Sequence, residues 1–170
     1  HSKSITILEE ISLGEDKISE KAKHILEAIE DPSKMEKANE LAFTGTPYLY
    51  RTNNQHMIII VTPKAGVDIT YLKTLISDFH THSIGNEVFE ISALLLGPDQ
   101  HLLMIKSFEN IKESTMYRDL FIEENSVMSE LNKSEHKIMS ISFENFKEFY
   151  KNKDVDGYYN FFMKNYLDKN

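Results

Sequence analysis

The residues best suited to chemistry in this sequence are its seven histidines. His80 and His82 stand on either side of one threonine, and together with His56 they would supply enough imidazoles for an open zinc site. His101 and His136 are predicted to begin two strands that flank a third strand, which sets their backbones roughly 10 Å apart. We interpret all five as polar residues at the ends of elements, and predict that the chain binds no metal and no cofactor.

Other signatures of catalysis are missing from the sequence. The chain has no cysteine, and so has no disulfide, no thiolate nucleophile and no cysteine-type zinc site. No serine lies in a Gly-x-Ser-x-Gly elbow, and no loop matches a Walker or dinucleotide pattern. The neighbouring carboxylates Glu9-Glu10 and Glu123-Glu124 would diverge by about 100 degrees on a helix. We therefore predict no catalytic residues and no enzymatic activity.

The loop of residues 62–68 is the place where a small ligand would most naturally bind. It connects a predicted strand to a predicted helix, and a helix N-terminus attracts anions. The loop contains Lys64 and Gly66 but no arginine. We predict that this loop turns the chain and caps the following helix. The alternative is that the loop binds a small molecule, and that the domain is a small-molecule effector-binding sensory domain.

Charge and aromatic placement argue against a nucleic-acid partner. The formal net charge is −8, and Arg51 and Arg118 are the only arginines. The two predicted central strands, Met57–Val61 and Leu102–Lys106, carry no aromatic residue on which bases could stack. The longest uncharged apolar runs, Met57–Val61 and Ile91–Leu96, are too short to cross a bilayer. We predict neither nucleic-acid binding nor membrane insertion.

From His56 onward, apolar spacing predicts the order β-α-β-β-α-β followed by two short helices. The predicted elements are a strand Met57–Val61, a helix capped by Asp68 and ending near Gly85, strands Val88–Leu96 and Leu102–Ser107, a helix from Asn110 toward Leu131 whose buried stripe is Met116, Tyr117, Leu120 and Phe121, a strand Ile138–Ile141, and helices Phe143–Tyr150 and Val155–Leu167. This order is typical of an α+β, ferredoxin-like βαββαβ core with strand order 4-1-3-2.

The residues before this core predict a separate helical appendage. Apolar positions from Ile18 to Ile29 have helical spacing, and Ser33–Phe43 is a second short helix before the break at Gly45-Thr46-Pro47. We therefore divide the chain into a helical appendage, residues 1–45, and an α+β domain, residues 46–170. Because the sequence begins with His1, we expect it to be a segment of a longer protein.

The carboxyl-terminal tail is unusually aromatic, with nine of the eighteen aromatic residues between Phe143 and Tyr166. Three of them recur at i, i+4 and i+8 and would line one helical face. We prefer packing against the sheet, and keep docking of a protein partner as the alternative. The candidate partner-binding residues are Tyr150, Tyr158, Tyr159, Phe162 and Tyr166.

Three segments, Thr46–Tyr50, His56–Lys64 and Phe146–Tyr166, together resemble the carboxyl-terminal region of tetratricopeptide-repeat lipoproteins linked to gliding motility and type IX secretion. Residues 22–32 are similar to the last helices of the repeat array in those proteins. The resemblance implies a cell-envelope scaffold on the periplasmic side of the outer membrane, with a lipid anchor outside this sequence and with protein partners. It implies no catalytic residues.

Overall fold

The computed structural model describes residues 46–85 and 89–167. The chain divides into two compact units, His1–Tyr50 and Arg51–Asn170; the boundary expected from the sequence was residue 45. Of the first unit, residues 46–50 are described: a bend at Thr46-Pro47 leads into irregular backbone, with Tyr48 buried. The predicted amino-terminal helices lie outside the described residues.

The second unit alternates strands and helices in the predicted order. The elements are β1 (His56–Pro63), α1 (Ile69–Phe79) with a π-helical turn (His80–Ile84), β2 (Glu90–Leu95), β3 (Gln100–Phe108), α2 (Ile111–Glu123), α3 (Asn125–Leu131), β4 (Lys137–Ser142), α4 (Phe143–Asn152) and α5 (Val155–Phe162) with a π-helical turn (Met163–Leu167). None of the helices in these described ranges is both long enough and apolar enough to span a bilayer.

The four strands form one antiparallel sheet in the order β2-β3-β1-β4. Counted from the β4 edge the order is β4-β1-β3-β2, so β1 and β3 are the central strands. Residues 57–61 of β1 are all buried, which explains why this strand is a continuous apolar run and not an alternating one. The predictions of an α+β fold and of a central first strand are confirmed.

Both faces of the sheet are buried at its centre. On one face, alternate residues such as Ile58 and Ile60 pack with the apolar sides of α1, α2 and α3 in a single core. Their neighbours Met57, Ile59 and Val61 point to the opposite face and are also buried. A polar substitution at either set of positions therefore places a polar group in the protein interior.

Side-chain caps fix where the helices begin. Asp68 caps α1, and Asn110 caps α2 in a box with Glu113, whose carboxylate accepts from the backbone N–H of Glu109. The helix predicted to run on toward Leu131 is interrupted at Glu124, whose extended backbone ends α2 and whose side chain caps α3. The sequence predicted the first two caps and missed the third.

The predicted buried stripe of α2 is half wrong. Tyr117 and Phe121 are buried, but Met116 and Leu120 are 59% and 51% exposed. Each exposed residue precedes a buried one, so the two pairs form neighbouring rows about 100 degrees apart around the helix. Because Ser114 is also buried, the side that faces the sheet is the one through Ser114, Tyr117 and Phe121, and the second apolar row faces outward.

Candidate functional site

The histidines considered as metal ligands do not gather into a site. His80 is buried among aromatic rings, whereas His82 is exposed and its ring Nδ1–H donates to the carbonyl of Asp78 at 2.8 Å. His56 is buried at the start of β1, where its Nδ1–H donates to the carbonyl of Asn54 at 2.7 Å. Within residues 46–85 and 89–167, no three histidine or carboxylate side chains form a metal-binding group.

His101 and His136 lie where the predicted topology puts them. His101 is opposite Thr62 across the β1–β3 pair, and His136 precedes Lys137, which is opposite Val61 across the β1–β4 pair. The backbones of His101 and His136 therefore flank the end of β1 on either side. His136 donates its own Nδ1–H to the carbonyl of Ser134 at 3.2 Å, so its role in the structure is to hold the turn before β4.

His80 and Tyr117 form the main polar contact inside the helical face of the sheet. The His80 Nε2 and Tyr117 Oη atoms are 2.6 Å apart. Burial lowers the pKa of His80 and raises the pKa of Tyr117 above its ordinary value, so the ring is neutral and the phenol is protonated. Tyr117 then donates the hydrogen bond and His80 Nε2 accepts it, which fixes the Nδ1–H tautomer.

We expect the protein to lose stability as the pH falls below about 6.5, the ordinary pKa of histidine. Burial lowers the pKa of both His56 and His80 in the folded state, and for His56 this outweighs the opposing effects of the Asn54 carbonyl and Glu144. Protons therefore bind the unfolded chain more readily, and the free energy of unfolding falls by at most about 1.4 kcal/mol per pH unit for each histidine. Urea unfolding at pH 8 and at lower pH values measures this slope.

A double variant isolates the contribution of His80. Replacing His80→Phe and Tyr117→Phe together removes the imidazole and leaves no unpaired hydroxyl behind. We expect a shallower pH dependence in this variant than in the unmodified protein, because the buried imidazole is gone. An equal slope in the two proteins would contradict this account.

At the end of the loop of residues 62–68, the backbone N–H groups that begin α1 already donate to the protein's own carboxylates. Asp68 accepts from the backbone N–H groups of Thr70 and Tyr71 at 2.9 and 3.0 Å, and Glu130 accepts from the backbone N–H of Asp68. A hydrogen bond from Lys133 lowers the pKa of Glu130, which stays ionised. Two negative charges therefore occupy the N-terminus of α1, which supports the capping interpretation of the loop over an anion site.

A recess of about 400 Å³ lies at the end of β1. It is lined by polar and charged residues that include Thr62, His136 and Lys137. Lys137, one of the two lysines in the lining, is paired with Asp156. Small-molecule sites are mostly apolar with a few polar groups, and this recess has the opposite composition.

Two of the five aromatic residues proposed as partner contacts belong to the interior. Tyr158 and Phe162 are both 0% exposed. The Tyr158 hydroxyl donates to the backbone carbonyl of Ser140 at 2.7 Å, and Arg118 lies over the Phe162 ring at 5.5 Å from its centroid. The assignment of these two residues to partner binding is corrected, because their rings are occupied by contacts within the fold.

The other three aromatic candidates lie nearer the surface. Tyr166 is partly buried, and its hydroxyl accepts from the backbone N–H of Arg51 at 2.9 Å. Tyr159 is partly buried beside the ammonium of Lys137, 5.5 Å from the ring centroid. Tyr150 is 40% exposed. Partner contacts through Tyr150, Tyr159 and Tyr166 stay a prediction.

The outer edge of β4 is closed by side chains from two helices. Because β4 is an edge strand, alternate backbone carbonyls point away from the sheet. The carbonyl of Ile138 accepts from Arg118 Nε at 3.2 Å, and the carbonyl of Ser140 accepts from the Tyr158 hydroxyl. The cation–π contact between Arg118 and the Phe162 ring helps to hold the guanidinium in place. These contacts explain why Tyr158 and Phe162 are buried.

A groove of about 590 Å³ with an apolar wall and floor lies beside α2, and we call it the α2 groove. Its lining residues are Ile84, Phe89, Ser107, Phe108, Glu109, Glu113, Met116, Tyr117 and Leu120. The floor is aromatic: the Phe89 ring lies 5.3 Å from Tyr117 and 5.1 Å from Phe108 between centroids. The exposed row of Met116 and Leu120 forms one wall.

Sequence reasoning missed the α2 groove, although a signal for it was present. Met116-Tyr117 and Leu120-Phe121 give α2 two adjacent apolar rows, which is wider than the stripe needed to face one side of a sheet. Treating all four as core assigned both rows to the interior. An apolar row left over after the sheet has been covered indicates a contact surface.

Comparisons with known proteins give no relative for this chain. No protein-family model matches it, and neither the curated proteins nor the solved structures contain a significant match.

Proposed function

We propose that the Arg51–Asn170 unit is a non-catalytic protein-interaction domain. The observation that carries this proposal is the α2 groove, in which Met116 and Leu120 expose more than half of their side-chain surface beside an aromatic floor. Single exposed apolar residues are ordinary, but a contiguous apolar groove is typical of a surface that another molecule covers. The strand order, and the packing of α1, α2 and α3 against one face of the sheet, support the ferredoxin-like βαββαβ assignment made from the sequence.

The charge of the α2 groove defines the kind of partner. Glu109 and Glu113 stand at its rim, and its described lining contains no lysine or arginine. The whole chain is also acidic, with a formal net charge of −8. The occupant is an amphipathic segment of another protein that places apolar side chains against Met116 and Leu120 and presents lysine or arginine to the rim.

A pair of model peptides tests this assignment. One is an amphipathic peptide of leucine and lysine, about 18 residues or five helical turns long, and the other has the same leucine pattern with glutamate in place of lysine. Fluorescence anisotropy should show binding of the lysine peptide and weaker binding of the glutamate peptide. Replacing both Met116→Ser and Leu120→Ser should weaken binding of the lysine peptide by about tenfold or more, since each apolar side chain contributes on the order of 1 kcal/mol.

The control is Tyr71→Ser, because Tyr71 is 51% exposed on α1 and does not line the groove. It should bind the lysine peptide like the unmodified protein. If the double serine variant bound the lysine peptide as tightly as the unmodified protein, the peptide would be recognising only the negative charge of the protein. The α2 groove would then be rejected as the binding site.

The resemblance to tetratricopeptide-repeat lipoproteins supports a place for this domain at the end of a repeat scaffold. On this proposal the protein acts in the cell envelope, on the periplasmic side of the outer membrane, with machinery for secretion or gliding. The small-molecule alternative has less support, because the carboxylates of Asp68 and Glu130 occupy the helix N-terminus where its ligand was expected.

A further inference from the structure

The two edge strands of the sheet, β4 and β2, differ in whether side chains bind their outward-pointing backbone groups. On β4, Arg118 and Tyr158 take the outward carbonyls of Ile138 and Ser140. On β2, no described element lies beyond the strand, and β2 pairs with β3 alone. The exposed fractions of Leu94 and Leu95 are 42% and 50%. The open edge of the sheet is therefore an apolar strand.

Hydrogen bonding at the hairpin shows which residues of β2 face outward. The backbone N–H of Leu96 donates to the carbonyl of Gln100 at 2.9 Å, so Leu96 points toward β3. Since inward and outward groups alternate along an antiparallel strand, the N–H and C=O groups of Ile91, Ala93 and Leu95 point away from the sheet. These three residues offer a complete ladder to another strand.

Proteins usually protect an open edge with lysine, proline or a bulge. The β2 sequence Glu-Ile-Ser-Ala-Leu-Leu contains neither residue, and its register with β3 is unbroken. Its one charge, Glu90, is at the end of the strand beside Lys106, with the ammonium and carboxylate 3.6 Å apart. The edge lacks the features that would prevent pairing.

We propose that β2 pairs antiparallel with β2 of a second copy of this chain, across a two-fold axis at Ala93. In that register Ile91 meets Leu95, Ser92 meets Leu94, and Ala93 meets its own copy, with about six backbone hydrogen bonds between the strands. No charged residue faces a like charge, because Glu90 falls opposite Leu96. This self-complementarity selects a second copy as the occupant, and the inference is independent of the α2 groove.

Sedimentation equilibrium of the full chain over about two decades of concentration tests the pairing. We expect a monomer–dimer equilibrium. Ala93→Pro should abolish the dimer while leaving the sheet intact, because the N–H that proline removes points outward and proline is tolerated on edge strands. Leu95→Lys is a second variant that keeps the backbone unchanged and should raise the dissociation constant by at least about tenfold.

Tyr71→Lys is the matched control, since Tyr71 is exposed on α1 and belongs neither to β2 nor to the α2 groove, and dimerisation of this variant should be unchanged. A protein that stays monomeric at every concentration would overturn the proposal, and the edge would then be left for a strand of a different protein. Full dimerisation of both Ala93→Pro and Leu95→Lys would overturn it as well.

Discussion

Replacing Ile59→Asp is expected to unfold the sheet at ambient temperature. Ile59 is 0% exposed in the central strand, paired with Met104 on one side and Met139 on the other. A carboxylate there has no partner and must either stay charged in an apolar layer or become protonated, at a cost of several kcal/mol. Domains of this size are stable by about 5–15 kcal/mol, so one such group removes most of the margin. Circular dichroism melts measure the effect.

Two controls separate the buried charge from a general sensitivity to substitution. Ile59→Val removes one methylene from the same position and should cost about 0.5–1.5 kcal/mol. Tyr71→Asp introduces the same carboxylate at an exposed position of α1 and should melt near the unmodified protein. A cooperative, native-like melt of Ile59→Asp would show that β1 is not buried between two strands.

Deletion of residues 143–170 is expected to give a molten or insoluble product. The deletion removes four aromatic side chains that are at most 3% exposed, Phe149, Tyr158, Phe161 and Phe162. Truncating one buried phenylalanine costs about 3–5 kcal/mol, so the loss of four exceeds the net stability of a domain. It also uncovers the outer edge of β4. Loss of the cooperative melt together with binding of a hydrophobic dye is the expected result.

Point variants test the same claim without shortening the chain. Phe162→Ala should destabilise the protein by about 3–5 kcal/mol, whereas Tyr150→Ala should cost much less because Tyr150 is 40% exposed. If the shortened chain stayed monomeric and melted cooperatively near the full-length midpoint, the tail would be dispensable for folding and its aromatics would be free for partner contacts.

Local sequence signals predicted most of the elements. The apolar run Met57–Val61 was sufficient to place β1 in the centre of the sheet, because a strand that alternates would need only one covered face. The caps at Asp68 and Asn110 were also readable, since a capping side chain bonds to backbone only two or three residues away. Features that depend on interactions between residues close in the chain can therefore be predicted from the local sequence.

What the sequence did not reveal depends on partners distant in the chain. The two apolar rows of α2 do not show by themselves which of them faces outward, because the rotation of α2 is set by contacts of Tyr117 and Phe121 with Phe79, on α1. The burial of Tyr158 depends in the same way on the edge carbonyl of Ser140. Methionine and tyrosine are common both in protein cores and in contact surfaces. The residue types of Met116 and Tyr158 therefore could not show which role each has.

The closed edge of β4 limits how far this sheet can grow. A strand added at β2 would bond to the outward groups of Ile91, Ala93 and Leu95, whereas at the far edge the carbonyls of Ile138 and Ser140 already accept from Arg118 and Tyr158. On the proposed β2 pairing, strand addition at β4 would first have to break these two hydrogen bonds, so each molecule would be effectively monovalent for strand addition. Two monovalent units can only cap one another, whereas a fibre requires two reactive ends per unit. The hydrogen bonds of Arg118 and Tyr158 would therefore limit edge-to-edge assembly to a dimer. The protein could then keep the apolar edge of β2 exposed without forming fibres.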